Sequence, residues 1–86
     1  MTAPFEIANR FDVLTWRQPH ALSNVLSHFS TSQSQPSRVS TVAHKDGTLS
    51  VIIVVKELAE AEARAIQSDL KEDKQVLRAM LEHFVG

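Results

Sequence analysis

Eighty-six residues, 43% of them hydrophobic and 22% charged, make a single globular domain over 1–86 and leave no room for a second core. Nine basic against ten acidic residues give a net charge of −1, without the basic excess a general nucleic-acid binder needs. The absence of cysteine excludes disulfides, thiolate chemistry and a cysteine zinc site, and no apolar run approaches the roughly 18–20 residues of a membrane span.

The N-terminus, MTAPFEIANRF, has no charged stretch followed by an apolar block, so no signal peptide is expected and the chain reads as a soluble cytoplasmic protein. Residues 1–9 are ambiguous: Phe5 and Ile7 can extend a strand, or Pro4 can open a short helix. Alternation of Phe11, Val13 and Thr15 against Asp12, Leu14 and Trp16 predicts a first strand over Arg10–Trp16. A helix over 5–16 is its rival, because Phe5, Ala8, Phe11 and Leu14 also fall near helical spacing.

Pro19 then breaks the ladder and suits the first position of a helix, predicted over Pro19–Ser30. Leu22, Val25, Leu26 and Phe29 give that helix its apolar stripe. Ser30–Ser37 is polar and aperiodic, hence a loop.

The stretch Ser37–Leu58 is the strongest local signal. Asp46-Gly47 suits a two-residue type I′ turn, whose central residues both need positive φ. A tight turn there pairs His44 with Leu49, Val42 with Val51, Ser40 with Ile53 and Arg38 with Val55. The second arm is apolar on both faces, as in a strand covered on both sides, whereas the first arm is half polar and belongs near an edge.

A second helix follows over Glu57–Lys71, rich in alanine, with acidic residues at its start and Leu58, Ala61, Ala65, Ile66 and Leu70 facing inward. In the tail, Gln75–Val85, the spacing of Val76, Leu77, Met80, Leu81 and Phe84 favours a helix, while alternation of Leu77, Ala79, Leu81 and Val85 allows a strand. The class is α+β: a small βαββα sandwich closed by a strand or a helix, with an antiparallel sheet centred on the 39–55 hairpin and helices on one face. With a final strand it is the ferredoxin-like plan.

The run Arg17–Phe29, RQPHALSNVLSHF, resembles the first turn and helix of an ACT domain in its Pro19, Ala21, Leu22, Val25, Leu26 and Phe29. The run AIQSDLKEDKQVLRAML resembles the second ACT helix leading into the last strand. His20 stands where that family usually has a glycine after the proline. The resemblance implies a βαββαβ fold, a regulatory role without catalysis, work in pairs, and an amino acid bound at the interface. It makes Arg17, Gln18, His20 and Ala21 the candidate ligand-binding residues, with backbone amides at the helix start holding a carboxylate. Apolar Ile52, Val54, Met80, Leu81 and Phe84 are the candidate interface, for a homodimer or for another protein. The alternative function is a small protein-interaction module, such as an adaptor, inhibitor or immunity-type protein, with no small-molecule ligand.

No catalytic set is legible. His20, His28, His44 and His83 form neither a His-x3-His pair nor an HExxH motif, so no metal is expected. The serines lack a Gly-x-Ser-x-Gly setting, and with Gly47 and Gly86 the only glycines no glycine-rich phosphate loop exists. The acidic residues of 57–73 are interleaved with Arg64 and Lys71 and read as a solvated helix face. Trp16 is expected to pack between rim and core. No cofactor is expected, and no enzyme activity.

Overall fold

The computed structural model describes residues 7–30 and 35–85, apart from the side chains of Ile7, Phe84 and Val85. The elements run β1 (Ile7–Trp16), α1 (Ala21–Ser27), β2 (Pro36–Ala43), β3 (Thr48–Lys56), α2 (Glu60–Glu72) and β4 (Val76–Val85). All pairings are antiparallel and the sheet order is β2-β3-β1-β4, so the two central strands come from β1 and β3. This is the ferredoxin-like plan with its final strand in place.

β1 is a strand, not the rival helix, because alternation carries its odd residues into the core: Phe11 and Val13 are fully buried and Thr15 joins them. It also begins earlier than Arg10, at Ile7; Pro4 and Phe5 lie outside the described residues. Facing Phe11 across the ladder is Ile53, and facing Val13 is Val51. α1, the turn after it and α2 lie over this face, adding Val25, Phe29, Ala63, Ile66 and Leu70 to one continuous core. Phe11 and Phe29 meet edge to face with ring centroids 4.9 Å apart.

Both helices are shorter than their sequence patterns. α1 starts at Ala21, so Pro19 sits in the preceding turn and not at the first helical position; residues 28–30 form a turn. Leu22, expected on the inner stripe, is exposed. α2 starts at Glu60, and its inner face is Ala63, Ile66 and Leu70, while Ala61 and Ala65 face outward. Leu58 is buried but precedes the helix, beside Glu57, a non-glycine residue at φ 60 that turns the chain out of β3. Residues 31–34 of the expected Ser30–Ser37 loop lie outside the described residues, and Pro36 already belongs to β2.

The hairpin register differs by one residue from the two-residue-turn expectation. Ala43 pairs with Leu49, Thr41 with Val51 and Val39 with Ile53. The connection is a three-residue loop, Lys45-Asp46-Gly47. The His44 amide donates to the Thr48 carbonyl at 2.9 Å and the Gly47 amide donates to the His44 carbonyl at 3.4 Å. Gly47 takes φ 87, so a turn followed by one left-handed residue closes the hairpin. Asp46 explains the preference. Its Oδ1 accepts from the Thr48 hydroxyl at 2.6 Å and the Thr48 amide at 3.0 Å, an Asx-type turn that lengthens the loop. These bonds, the hydroxyl first, hold the Asp46 carboxyl below its ordinary value. A one-residue slip moves every side chain of the first arm to the other face, so Val42, Ser40 and Arg38 lie beside Ser50, Ile52 and Val54.

The tail is a strand, not the helix its periodicity favours. β4 pairs with β1 along its length, with a register shift between Leu14 and Thr15 that leaves Leu77 as the extra, exposed residue. Val76 and Ala79 are buried, Leu81 packs against the core, and Gln67 of α2 donates to the Ala79 carbonyl at 3.1 Å. The edge of β1 needs a partner for its backbone, and ten residues of strand supply one.

Candidate functional site

Three connections converge at one end of the sheet. The Arg17 amide donates to the Gly47 carbonyl at 2.9 Å, fastening the β1–α1 turn to the hairpin tip. The Gln75 carbonyl accepts from the Trp16 amide at 3.2 Å and from the Thr15 hydroxyl at 2.8 Å, fastening the same turn to the α2–β4 connection. Arg17, Gln18, Pro19 and His20 are exposed, whereas Ala21 is buried. Arg17, Gln18 and His20 therefore present their side chains to solvent, and only the backbone of Ala21 is available to a ligand.

That backbone is partly committed. The Ala21 amide donates to the Gln18 carbonyl at 3.0 Å, and the Asn24 amide donates to the His20 carbonyl at 2.9 Å. His20 is the N-cap without a side-chain cap, and the Ser23 hydroxyl donates to its carbonyl at 3.1 Å. The groups this turn presents to solvent are thus the Arg17 guanidinium and the Gln18 and His20 side chains. Nearby, a shallow cavity of about 510 Å³ opens on the bare sheet face between Leu14, Ser50, Lys45, His44 and Arg78.

Behind the turn lies a polar cluster that the sequence did not reveal. Asp73, at the end of α2, accepts from His28 Nε2 at 2.8 Å and from Asn24 Nδ2 at 2.9 Å through one oxygen. Its other oxygen accepts from the Gln75 amide at 2.9 Å. A carboxylate only accepts, so His28 carries its proton on Nε2 in this contact. The His28 bond first, then the Gln75 and Asn24 bonds, hold the Asp73 carboxyl below its ordinary value against the opposing effect of burial. The cluster clamps α1 to the α2–β4 turn.

A second cluster sits at the opposite end. Asn9 is 1% exposed on the core face of β1. Its Nδ2 donates to the Leu58 carbonyl at 3.2 Å and to the Val55 carbonyl at 3.5 Å, while its Oδ1 lies 2.6 Å from His83 Nδ1. Asn9 thereby ties β1 to the corner after β3 and to β4. His44 pairs with Ser50 at 2.7 Å. His28, His44 and His83 are thus held by separate partners, and among the described residues no group of three or more His, Cys, Asp or Glu is placed to hold a metal ion. No described helix is long and apolar enough to cross a membrane.

The sheet face away from the helices is bare. Ile52 and Val54 of β3 and Met80 of β4 lie on it, as do Leu14, Val42 and Trp16. Trp16 is 44% exposed, Val42 52% and Met80 46%, so Trp16 is not the rim-to-core packing residue its position suggests. Leu81 separates from this group: strand alternation turns it to the helix side, where it packs against the core. The Phe84 side chain lies outside the described residues.

No family model matches the sequence, and no curated protein matches it. The architecture does have close counterparts among solved structures. The solution structure of the ACT domain from GTP pyrophosphokinase of Chlorobium tepidum aligns with a TM-score of 0.70 at 10% identity, over 92% of this chain and 86% of that one. The crystal structure of the same domain aligns with a TM-score of 0.71 at 10% identity, over 92% of this chain and 99% of that one. The chain has the fold of an ACT domain. The solution structure of the C-terminal domain of the MgtC protein from Mycobacterium tuberculosis is similar too, with a TM-score of 0.71 at 13% identity over 100% of this chain and 94% of that one. At these identities the likeness is one of fold, and it bears out the βαββαβ plan implied by the ACT resemblance of 17–29 and 65–81.

Proposed function

We propose that this chain is a non-catalytic regulatory module that senses a small ligand, an amino acid by preference, at the β1–α1 turn, and that it works as a homodimer in the cytoplasm. The observation that carries the reading is the fold: nearly the whole chain superposes on an ACT domain that belongs to a GTP pyrophosphokinase. The exposed side chains of Arg17, Gln18 and His20 supply one cation and two hydrogen-bonding groups, the chemistry a free amino acid's carboxylate and side chain call for. His20 in place of glycine adds bulk at the point of backbone approach, so the side chains, more than the amides, make the contacts.

The test is a thermal-shift series of the purified chain against the common amino acids and nucleotides, with its mass in solution measured alongside. A ligand that binds only the folded state adds about 2.7 kcal/mol at 100 times its dissociation constant. One amino acid is expected to raise the midpoint, and Arg17→Ala is expected to abolish that shift. If none of them moves the midpoint, the sensing reading fails.

A second reading is favoured by the bare sheet face with Trp16, Val42 and Met80 exposed: a protein-interaction module without a small ligand. Under that reading Arg17→Ala leaves partner binding unchanged.

A further inference from the structure

The shallow cavity on the bare face is lined by groups that neither the core nor the β1–α1 turn uses. Its floor is one row of the sheet, Ser50, Leu14 and Arg78, in register across β3, β1 and β4. With strands ~4.8 Å apart, the Arg78 backbone lies ~10 Å from that of Ser50, and half-buried Leu14 stands between them. The hairpin tip closes the Ser50 side with His44, Lys45 and Asp46. His44 is fixed there by its 2.7 Å contact with the Ser50 hydroxyl. Trp16 pairs across the ladder with Thr48, itself a lining residue, and stands 44% exposed at the margin. The volume of about 510 Å³ falls inside the roughly 300–1,000 Å³ of small-molecule sites.

Charge and shape say what such a cavity would take. On the bare face Arg10, Arg38, Lys56 and Arg78 stand against Asp12 and Glu82, a positive surface on a chain whose net charge is −1. That field draws anions to this side of the sheet. At the cavity itself, the side chains of Arg78 and Lys45 have no hydrogen-bond or ion-pair partner among the described residues. The one carboxylate in the lining, Asp46, accepts from the Thr48 hydroxyl and amide through Oδ1. It repels an anion from the tip and so directs it toward Arg78. Trp16 lies two residues beyond Leu14 on the same face of β1, ~7 Å along the strand, and offers a flat apolar ring there.

We infer that this cavity binds a nucleoside phosphate. The Arg78 guanidinium takes the phosphate, a pairing its planar fork of donors suits, and Lys45 adds attraction from the opposite wall. The base lies against Trp16 and Leu14; such stacking accepts any base, so the site selects a ring joined to a phosphate and not one base. Asp46 and the His44–Ser50 pair face the sugar hydroxyls. None of Arg17, Gln18, Pro19 and His20 lines the cavity, so the site stands whether or not the β1–α1 turn senses an amino acid.

Trp16 is the only tryptophan and the chain has no tyrosine, so intrinsic fluorescence reads this end of the sheet directly. The purified chain is titrated with AMP, GMP, CMP and UMP, with the corresponding nucleosides and with a short single-stranded RNA, exciting beyond the nucleotide absorption band. The monophosphates are expected to quench Trp16 saturably, and the nucleosides to bind at least about tenfold more weakly. Arg78→Ala is expected to raise the dissociation constant about tenfold or more and Arg78→Lys to raise it less, while Arg17→Ala leaves it unchanged. Arg78 is exposed, and circular dichroism checks that each variant keeps its fold. No saturable quenching up to millimolar concentration overturns the inference. Equal binding of nucleosides and monophosphates, or affinity unchanged in Arg78→Ala, overturns it as well. A loss in Arg17→Ala as large as that in Arg78→Ala places the ligand at the β1–α1 turn and also overturns it. RNA binding more than about tenfold tighter than any monophosphate makes a nucleic-acid strand, not a free nucleotide, the occupant.

Discussion

Replacing Asp73 by asparagine keeps the side chain's shape and removes its charge. The wild-type carboxylate accepts three hydrogen bonds, from His28 Nε2 at 2.8 Å, Asn24 Nδ2 at 2.9 Å and the Gln75 amide at 2.9 Å. An amide offers a single oxygen. If that oxygen stays with His28 and Asn24, the new NH2 faces the Gln75 amide, donor against donor. Bonds to a charged acceptor are worth about 1.5–3 kcal/mol each, against about 1 for neutral ones. The side chains of His28 and Asp73 are 20% and 16% exposed, so solvent screens part of the gain, and the net loss falls at about 1.5–2 kcal/mol. For a domain this size each kcal/mol moves the melting midpoint by about 4–8 °C, so Asp73→Asn should lower it by about 6–16 °C. Urea unfolding at neutral pH measures the same loss directly. A double-mutant cycle with His28→Ala should return a coupling of about 1 kcal/mol. The sign with pH follows from the depressed carboxyl. Folding favours the ionised form, so the contribution is complete above the ordinary value of 3.8 and is lost as pH falls through the lower folded-state value. The gap between wild type and Asp73→Asn should therefore close in acid. A loss below about 0.5 kcal/mol at neutral pH, the range of ordinary surface substitutions, would refute the clamp.

Three further substitutions probe the backbone and the second cluster. Gly47→Ala meets no atom within 4 Å, so its cost is conformational alone: φ 87 penalises a Cβ by about 1–2 kcal/mol, read as a lower urea midpoint with an unchanged slope. Glu57→Gly releases a residue held at φ 60 and should be neutral or stabilise by up to about 1 kcal/mol in the same measurement. Asn9→Leu strands the Leu58 carbonyl at a site 1% exposed and removes the bond to His83, and should cost about 2–4 kcal/mol, with hydrogen exchange quickening first in β4 and the corner after β3.

Much of the fold was legible because burial on one side of a sheet writes a period of two. Phe11, Val13, Val51 and Ile53 all sit on the buried face; the first two belong to an alternating run, the last two to a continuous apolar run that the Asp46-Gly47 turn marks as a strand. The final strand was ambiguous for a physical reason. Its bulge at Leu77 inserts one residue, and the shift puts the buried Val76 and Ala79 on one face three positions apart, a helical spacing. Helix ends were overestimated where an apolar residue lies just outside the element. Leu58 is buried but belongs to the corner before α2, and Phe29 is buried but lies in the turn after α1. The hairpin register turned on one side chain. Asp46-Gly47 is equally at home in a two-residue turn and in a three-residue loop, and the bonds from Thr48 to Asp46 Oδ1 decide for the longer one.

The candidate site divides along the same line between local and long-range information. The turn that carries Arg17, Gln18 and His20 was legible because a proline turn between a strand and a helix is a local pattern, and the structure leaves their side chains in solvent. The clamp behind them was not legible, since His28 and Asp73 are 45 positions apart and each reads alone as an ordinary polar residue on a helix. Asn9 carried the one available signal: a polar side chain in register with Phe11, Val13 and Thr15, on the face that alternation assigns to the core. A buried amide there needs partners, and it finds them 46, 49 and 74 positions away. The bare face was misassigned for a related reason. Met80 and Leu81 are neighbours in sequence and were grouped as one apolar surface, but a strand sends adjacent side chains to opposite sides. Leu81 therefore joined the core, while Met80 joined Ile52 and Val54 on the face left uncovered.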